Sequence, residues 1–224
     1  LHDALPIWHD GHTATLMAAA HHIAHNVAFS GTLNLIFQPA EEHPGGAKIM
    51  IEEGLFERFP CDAIFAAHNM PGVPAGQLVF IEGPAMASSD DVTITLTGVG
   101  GHGAMPHRAQ DPIVAAAAIV MTLQTIVSRN VDPQHTAVIT VGSLIAGKAN
   151  NVIPASARLE LSVRSLDREV RDLLQERITS LVTAQAQSLG VLAHIDYKRD
   201  YPVLVNTPAE TELARQVGTE LLGA

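Results

Sequence analysis

Two adjacent carboxylates, Glu41 and Glu42, end an apolar run and stand just before the turn Pro44-Gly45-Gly46. Neighbouring carboxylates repel each other unless a cation or a proton lies between them. With a metal ion there, one carboxylate can ligate while the other takes a proton from an activated water. Most Glu-Glu pairs are solvated loop residues, so the weight of this one depends on its company. His9-Asp10 stands where an Ala-rich segment begins, and His68 follows the apolar stretch 63–67. Twelve histidines against thirteen Lys plus Arg is a high ratio. Imidazole is the commonest side chain to bind a borderline metal, which makes metal chemistry the first hypothesis to test.

The surrounding pattern says how these residues could meet. Leu33, Leu35 and Phe37 alternate with Asn34, Ile36 and Gln38, which predicts a largely buried strand ending at the glutamates. Leu16, Met17, Ala20, Ile23, Ala24 and Val27 recur at helical spacing, predicting a helix over 13–29 with His9 and Asp10 at its start. A short helix over 47–56 closed by Gly54, a strand over 63–67 ending at His68, and a strand over 77–81 complete the first part. His9, Glu41-Glu42 and His68 then share one sheet edge, where open α/β sheets bind ligands, and a His/Glu/His set leaves coordination positions open. His21, His22 and His25 fall inside the first helix. His21 and His25 are spaced i, i+4, a pairing that can bind metal, but no zincin-type Glu lies between them, so surface or core packing is expected.

From Asp91 the grammar changes. A strand at Val92, Ile94 and Leu96, a helix opened by Asp111-Pro112 and a β-branched run over 136–145 come first. A strand with one wet face around 158–164, a helix opened by Asp167 and a strand over 191–197 follow. The order β-α-β-β-α-β is that of a split βαβ, ferredoxin-like unit. The expected boundaries are a partial catalytic domain over 1–88, an inserted domain over 89–203 and a return to the first domain over 204–224. That last part is a helix with Leu213, Ala214, Val217 and Leu221 on one face. In the inserted domain, Gly98-Val99-Gly100-Gly101-His102-Gly103 lets the backbone approach another surface closely while His102 projects. Asn151 lies in a loop and Arg164 closes a strand. An amide and a guanidinium together could hold a substrate carboxylate, although both residue types are usually structural in such places.

Composition narrows the alternatives. With 47% hydrophobic and 16% charged residues, the 224-residue chain can bury a core. A net charge of −10 and the lack of any Lys/Arg-rich run give no electrostatic footprint for nucleic acid or an anionic membrane. The one cysteine, Cys61, excludes an internal disulfide. No signal peptide or bilayer-length apolar run is read, so a cytoplasmic protein is expected.

Taken in order, His9-Asp10-Gly11-His12-Thr13-Ala14, Gln38-Pro39-Ala40-Glu41-Glu42, Ala67-His68, Gly100-Gly101-His102-Gly103-Ala104-Met105-Pro106-His107, Asn151-Val152-Ile153-Pro154 and Arg164 resemble the hippurate hydrolase family of N-acyl-amino-acid amidohydrolases. The resemblance implies an α/β, metallopeptidase-like catalytic domain, incomplete here, with an inserted ferredoxin-like α+β lid that also forms a homodimer interface. It implies two divalent ions per site in the intact protein, Zn²⁺ or Mn²⁺ with Co²⁺ or Ni²⁺ as alternatives. It also implies His9, Glu42 and His68 as ligands, Glu41 as general base, His102 as oxyanion donor reaching the partner subunit's site, and Asn151 and Arg164 as substrate contacts. The partner molecule would be a small N-acyl amino acid. Two departures stand out. Ile7 occupies the place of a metal-binding Cys, and the C-terminal segment that brings a further His ligand is not in this sequence. The chain also looks cut at its front, and residues 3–7 resemble an earlier family stretch. Rival readings are a dipeptidase or carboxypeptidase on the same scaffold and a non-catalytic dimerising fragment.

Overall fold

A computed structural model describes residues 9–26, 28–41 and 45–223, the side chain of His9 excepted. The chain divides into two compact units, residues 1–79 and 80–224.

In the first unit, α1 (His9–Asn26) takes in His9 and Asp10 as its first turn, four residues ahead of the start predicted from the apolar spacing. Leu16, Ala20 and Ile23 lie half-buried along one side of it. The helix predicted over 47–56 is two helices, α2 (Gly46–Glu52) and α3 (Leu55–Arg58). Gly54 separates them at φ 86°, a left-handed conformation that ends a helix and costs glycine little.

The strands predicted over 33–38, 63–67 and 77–81 are not formed. No strand occurs among the described residues before Gly83. Leu33, Leu35 and Phe37 are exposed, as are Ile64, Phe65, Leu78, Val79 and Ile81. Alternation in sequence says which side chains share a face, whereas a ladder needs a neighbouring strand about 4.8 Å away, and these segments have none among the described residues. The sheet edge expected to gather His9, Glu41-Glu42 and His68 is therefore not present as a ladder.

The second unit is built on a four-stranded antiparallel sheet. Its strands are β2 (Asp90–Thr97), β4 (Ala137–Ala146), β6 (Ser156–Ser165) and β7 (Leu192–Arg199), in spatial order β4-β6-β2-β7. Helix α4 (Pro112–Arg129) joins β2 to β4 with β6 between them, and α5 (Arg168–Ser188) joins β6 to β7 with β2 between them. The element order read from the sequence is the order along the chain. Short strands β1 (Gly83–Met86) and β8 (Leu204–Asn206) pair where the chain enters and leaves this layer, and β3 (Gly101–His102) pairs with β5 (Val152–Ile153).

Both main helices start where their caps predict. Asp111 accepts from the Ile113 amide at 2.8 Å, and Asp167 accepts from the Glu169 and Val170 amides at 2.7 and 3.0 Å. The Val170 amide leads the groups that hold the Asp167 carboxyl below its ordinary value. Ile94, Leu96, Ile119, Leu123, Leu159, Leu174 and Ile178 are fully buried between the helices and one face of the sheet. Each such side chain contributes about 1.5–3 kcal/mol by leaving water. Helix α4 is apolar and long enough to cross a membrane by length and composition, contrary to the expectation of no such run. Its Ala115, Ala116, Ile119, Leu123 and Ile126 are nevertheless packed in this core.

A charged cluster lies inside, centred on Asp90. Arg171 Nε donates to both Asp90 carboxylate oxygens at 2.9 and 3.2 Å, Arg171 Nη2 also bonds Asp90, and Tyr197 Oη donates to Asp90 Oδ2 at 2.9 Å. Asp90 is fully buried, and a buried carboxylate needs such partners. Burial, followed by the nearby Asp90 carboxylate, pushes the Tyr197 phenol well above its usual range.

Helix α6 (Pro208–Leu222) departs from expectation. Its predicted apolar face is outward, with Leu213, Val217 and Leu221 exposed, while Thr211 and Gly218 are buried. Periodicity identifies a face without saying what covers it.

Candidate active site

Glu41 lies in a turn that the backbone strains to make. Ala40 sits at φ 47°, a left-handed conformation rare outside glycine, and the Gly45 and Gly46 amides both donate to its carbonyl at 3.1 and 3.2 Å. A Cβ at Gly46 would lie 1.9 Å from the Pro39 carbonyl oxygen, so only glycine closes this turn. Backbone held this way costs roughly 1–3 kcal/mol and recurs at functional sites. Glu41 itself is exposed. Glu42, the ligand candidate beside it, lies outside the described residues.

His68 is oriented by its own loop. Its Nδ1 lies 2.7 Å from the Asn69 carbonyl oxygen. A carbonyl can only accept, so Nδ1 carries the proton and a neutral ring bears its lone pair on Nε2. A backbone carbonyl receiving one ring N–H is the usual support of a metal-binding histidine, and the donor chemistry of His68 fits a divalent ion. The Asn69 amide in turn donates to His12 Nε2 at 3.1 Å, and the His12 and His68 rings meet edge-on with centroids 4.6 Å apart. A Cβ on Gly11 would stand 3.3 Å from the Asn69 side chain. The first turn of α1, which begins at His9, is thus packed on the loop that carries His68. The side chain of His9 is outside the description, as Ile7 is altogether. Among the described residues no three His, Cys, Asp or Glu side chains gather as a metal site; Glu42 and the side chain of His9 lie outside them.

His12 went unassigned in the sequence. The available signal was its place three residues after His9 on a helix, on the same face one turn along.

In the second unit the glycines around His102 make close approaches. Cβ atoms at Gly98, Gly100 and Gly103 would meet the Gln110, Ile153 and Asn151 carbonyl oxygens at 2.1, 2.8 and 3.0 Å. His102 pairs with Val152 across β3–β5, and the Gly103 amide donates to the Asn151 carbonyl at 2.8 Å. His102 and Asn151 are therefore neighbours, both exposed. The Ala104 amide donates to His102 Nδ1 at 3.1 Å, which fixes the lone pair there and leaves Nε2 as the protonated, donating nitrogen of the neutral ring.

Arg164 does not join them. It pairs with Val138 near the far end of β6, on the exposed sheet face. The β2–β6 ladder starts from Thr97↔Ser156 and continues as β3–β5 away from Arg164. Eight strand residues from Ser156 to Arg164 span roughly 26 Å. One chain cannot close Asn151 and Arg164 on the same small carboxylate, and the joint clamp anticipated from sequence is corrected on that point.

Comparison with known proteins decides the family. The model of peptidase family M20/M25/M40 matches residues 9–224. The chain belongs to that family. It is 46% identical over 215 residues to the hippurate hydrolase of Campylobacter jejuni, covering 96% of this chain and 56% of that protein. It is 42% identical over 203 residues to an N-acetyldiaminopimelate deacetylase of Geobacillus thermodenitrificans, covering 91% and 54%. A structure from methicillin-resistant Staphylococcus aureus, described as an aminohydrolase, superposes with a TM-score of 0.85 at 35% identity, covering 96% of this chain and 57% of that one. A Bacillus subtilis dinuclear metal-binding peptidase of the M20 family superposes with a TM-score of 0.73 at 31% identity, covering 95% and 53%. The chain thus has the M20 peptidase-type α/β fold and spans about half the length of these relatives. The M20 family match contains every candidate named above except Ile7.

Proposed function

We propose that the protein is a metal-dependent amidohydrolase that cleaves the amide bond of N-acyl amino acids, hippurate first among them. The observation that carries this reading is the His68 loop. Its Nδ1 proton is spent on the Asn69 carbonyl, and it is braced by His12 from the turn that opens with His9. The two named relatives, a hippurate hydrolase and an N-acetyldiaminopimelate deacetylase, each carry a substrate name with an acyl group on an amino acid nitrogen, which supports the substrate class. The dinuclear metal-binding relative supports two ions, for which imidazole and carboxylate ligands suit Zn²⁺ or Mn²⁺, with Co²⁺ or Ni²⁺ as alternatives.

In this reading His9, Glu42 and His68 hold the divalent ion, which when bound supplies Lewis acidity and an activated water. Glu41 accepts the proton of the attacking water and hands it to the departing amine. His102 presents its Nε2 proton to the carbonyl oxygen as negative charge develops there. Residues 89–203 act as an inserted ferredoxin-like lid through which two chains form a homodimer. The separation of Arg164 from His102 and Asn151 supports that arrangement. His102 and Asn151 of one chain serve the partner subunit's site, and Arg164 is a further substrate contact.

The test uses the full-length protein. Glu41→Gln is expected to keep its metal content and lose hippurate hydrolysis by about 10²–10⁴-fold. Full activity in that variant would sink the base assignment.

A further inference from the structure

Helix α1 carries a feature that the proposed hydrolytic chemistry does not use. Leu16, Ala20 and Ile23 form its half-buried side. At 3.6 residues per turn, His21 and His25 project from the opposite side, and both are exposed. Their rings lie nearly parallel, 29° apart in plane with centroids separated by 4.3 Å. The His25 Nδ1 proton is donated to the His21 carbonyl at 2.8 Å, so a neutral His25 bears its lone pair on Nε2.

We propose that His21 and His25 form a surface site for one borderline divalent ion, distinct from any ion held at the start of α1 and completed by water. Imidazole nitrogen suits Zn²⁺, Ni²⁺ and above all Cu²⁺, which heads the affinity order for such donors. Two rings one helical turn apart reach a single ion with metal–nitrogen bonds of about 2.0–2.1 Å. Here they already stand side by side on a formed helix, so closing on the ion orders little that is free. The Nδ1–H to backbone carbonyl bond of His25 is the kind of outer support that fixes a metal-binding ring. Position separates this site from the hydrolytic one. His21 and His25 follow His9 by twelve and sixteen residues, about 18 and 24 Å along the helix. His22 supplies an internal control. It points elsewhere on the helix, and Asn26 Nδ2 donates to its backbone carbonyl at 3.2 Å and lies 3.5 Å from its Nδ1.

The test is a calorimetric titration of the metal-stripped chain with CuCl₂, repeated on His21→Ala, His25→Ala and His22→Ala, with helical content followed by circular dichroism. His21→Ala and His25→Ala should each bind one Cu²⁺ fewer than the parent, and His22→Ala should bind as many. Where alanine lowers the helical signal, His21→Gln and His25→Gln make the same comparison on a polar surface. An unchanged count and affinity in the folded His21 and His25 variants overturns the proposal, and so does an equal loss in His22→Ala. Neither result bears on Glu41 or His68, so the hydrolytic reading stands or falls separately.

Discussion

The Gly103 amide and the Asn151 carbonyl are joined at 2.8 Å, and that bond keeps the His102 loop against the loop that bears Asn151. A methyl group at Gly103 would meet three Asn151 backbone atoms, O, C and Cα, at 3.0–3.2 Å. Backbone cannot rotate aside as a side chain can, so the loops must part by a few tenths of an ångström. Under the proposed function, with His102 as oxyanion donor, Gly103→Ala in the full-length protein should lower kcat/KM by roughly tenfold to a hundredfold, because small misplacements of a catalytic group cost that much. Metal content should not change. Steady-state hydrolysis of hippurate with parallel metal analysis checks both halves of the expectation.

Inside the second unit, Asp90 is held by Arg171 and Tyr197 where water does not reach. Removing Arg171 leaves an uncompensated buried carboxylate, so Arg171→Ala should destabilise the chain by about 3–5 kcal/mol. The Arg158–Glu160 pair at 2.8 Å offers the contrast, since both side chains are about half exposed on the open face of the sheet. Arg158→Ala should cost no more than about 1 kcal/mol. Urea unfolding of both variants beside the parent measures the difference, and equal losses would show that Asp90 is solvated.

The same cluster predicts an alkaline limit to stability. Burial and the Asp90 carboxylate raise the Tyr197 phenol above its unfolded value of about 10. Above that pH the unfolded chain releases the phenolic proton while the folded chain keeps it, so the unfolded state binds fewer protons and stability falls as pH rises. Below it the two states agree and this contribution is fully present. Tyr197→Phe should flatten the fall above about pH 10 and cost about 1.5–3 kcal/mol at neutral pH through the lost hydrogen bond to a charged group. Unfolding free energies measured from pH 8 upward for both proteins decide it.

These elements also show what the sequence could and could not tell. Asp111 and Asp167 announce α4 and α5 because a cap is a local event between a side chain and amides two or three residues on. Leu159, Leu161 and Val163 announce the wet and dry faces of β6 because alternation is local too. The segments over 33–38, 63–67 and 77–81 carry the same kind of pattern and form no ladder, since pairing depends on a neighbour the pattern does not name. Leu213, Val217 and Leu221 fail likewise. For the site, residue types and spacing pointed to Glu41 and His68, and the family resemblance to His102, but not to the geometry between them. The distance from Asn151 to Arg164 is set by the length of β6, and the bracing of His68 by His12 is a contact across 56 positions of sequence.

That bracing yields the last expectation. His12 Nε2 accepts the Asn69 amide at 3.1 Å, while the Asn69 carbonyl receives the His68 Nδ1 proton at 2.7 Å. His12 thus acts on His68 through one residue that both rings hold, and it is a positioning residue under the hydrolytic reading. His12→Ala removes the acceptor and the edge-on ring contact together, freeing the loop to turn His68 away from the ion. In the full-length enzyme, metal affinity should fall about 10–100-fold, the usual effect of losing an outer partner of a metal ligand. His12→Gln returns a side-chain oxygen that can accept from the same amide, and should recover part of that affinity. The readout is competition with a chelator of known strength, which a purely structural role for His12 would leave unmoved so long as the protein stays folded. Parent-like affinity in folded His12→Ala would show that the Asn69 loop holds His68 without help from α1.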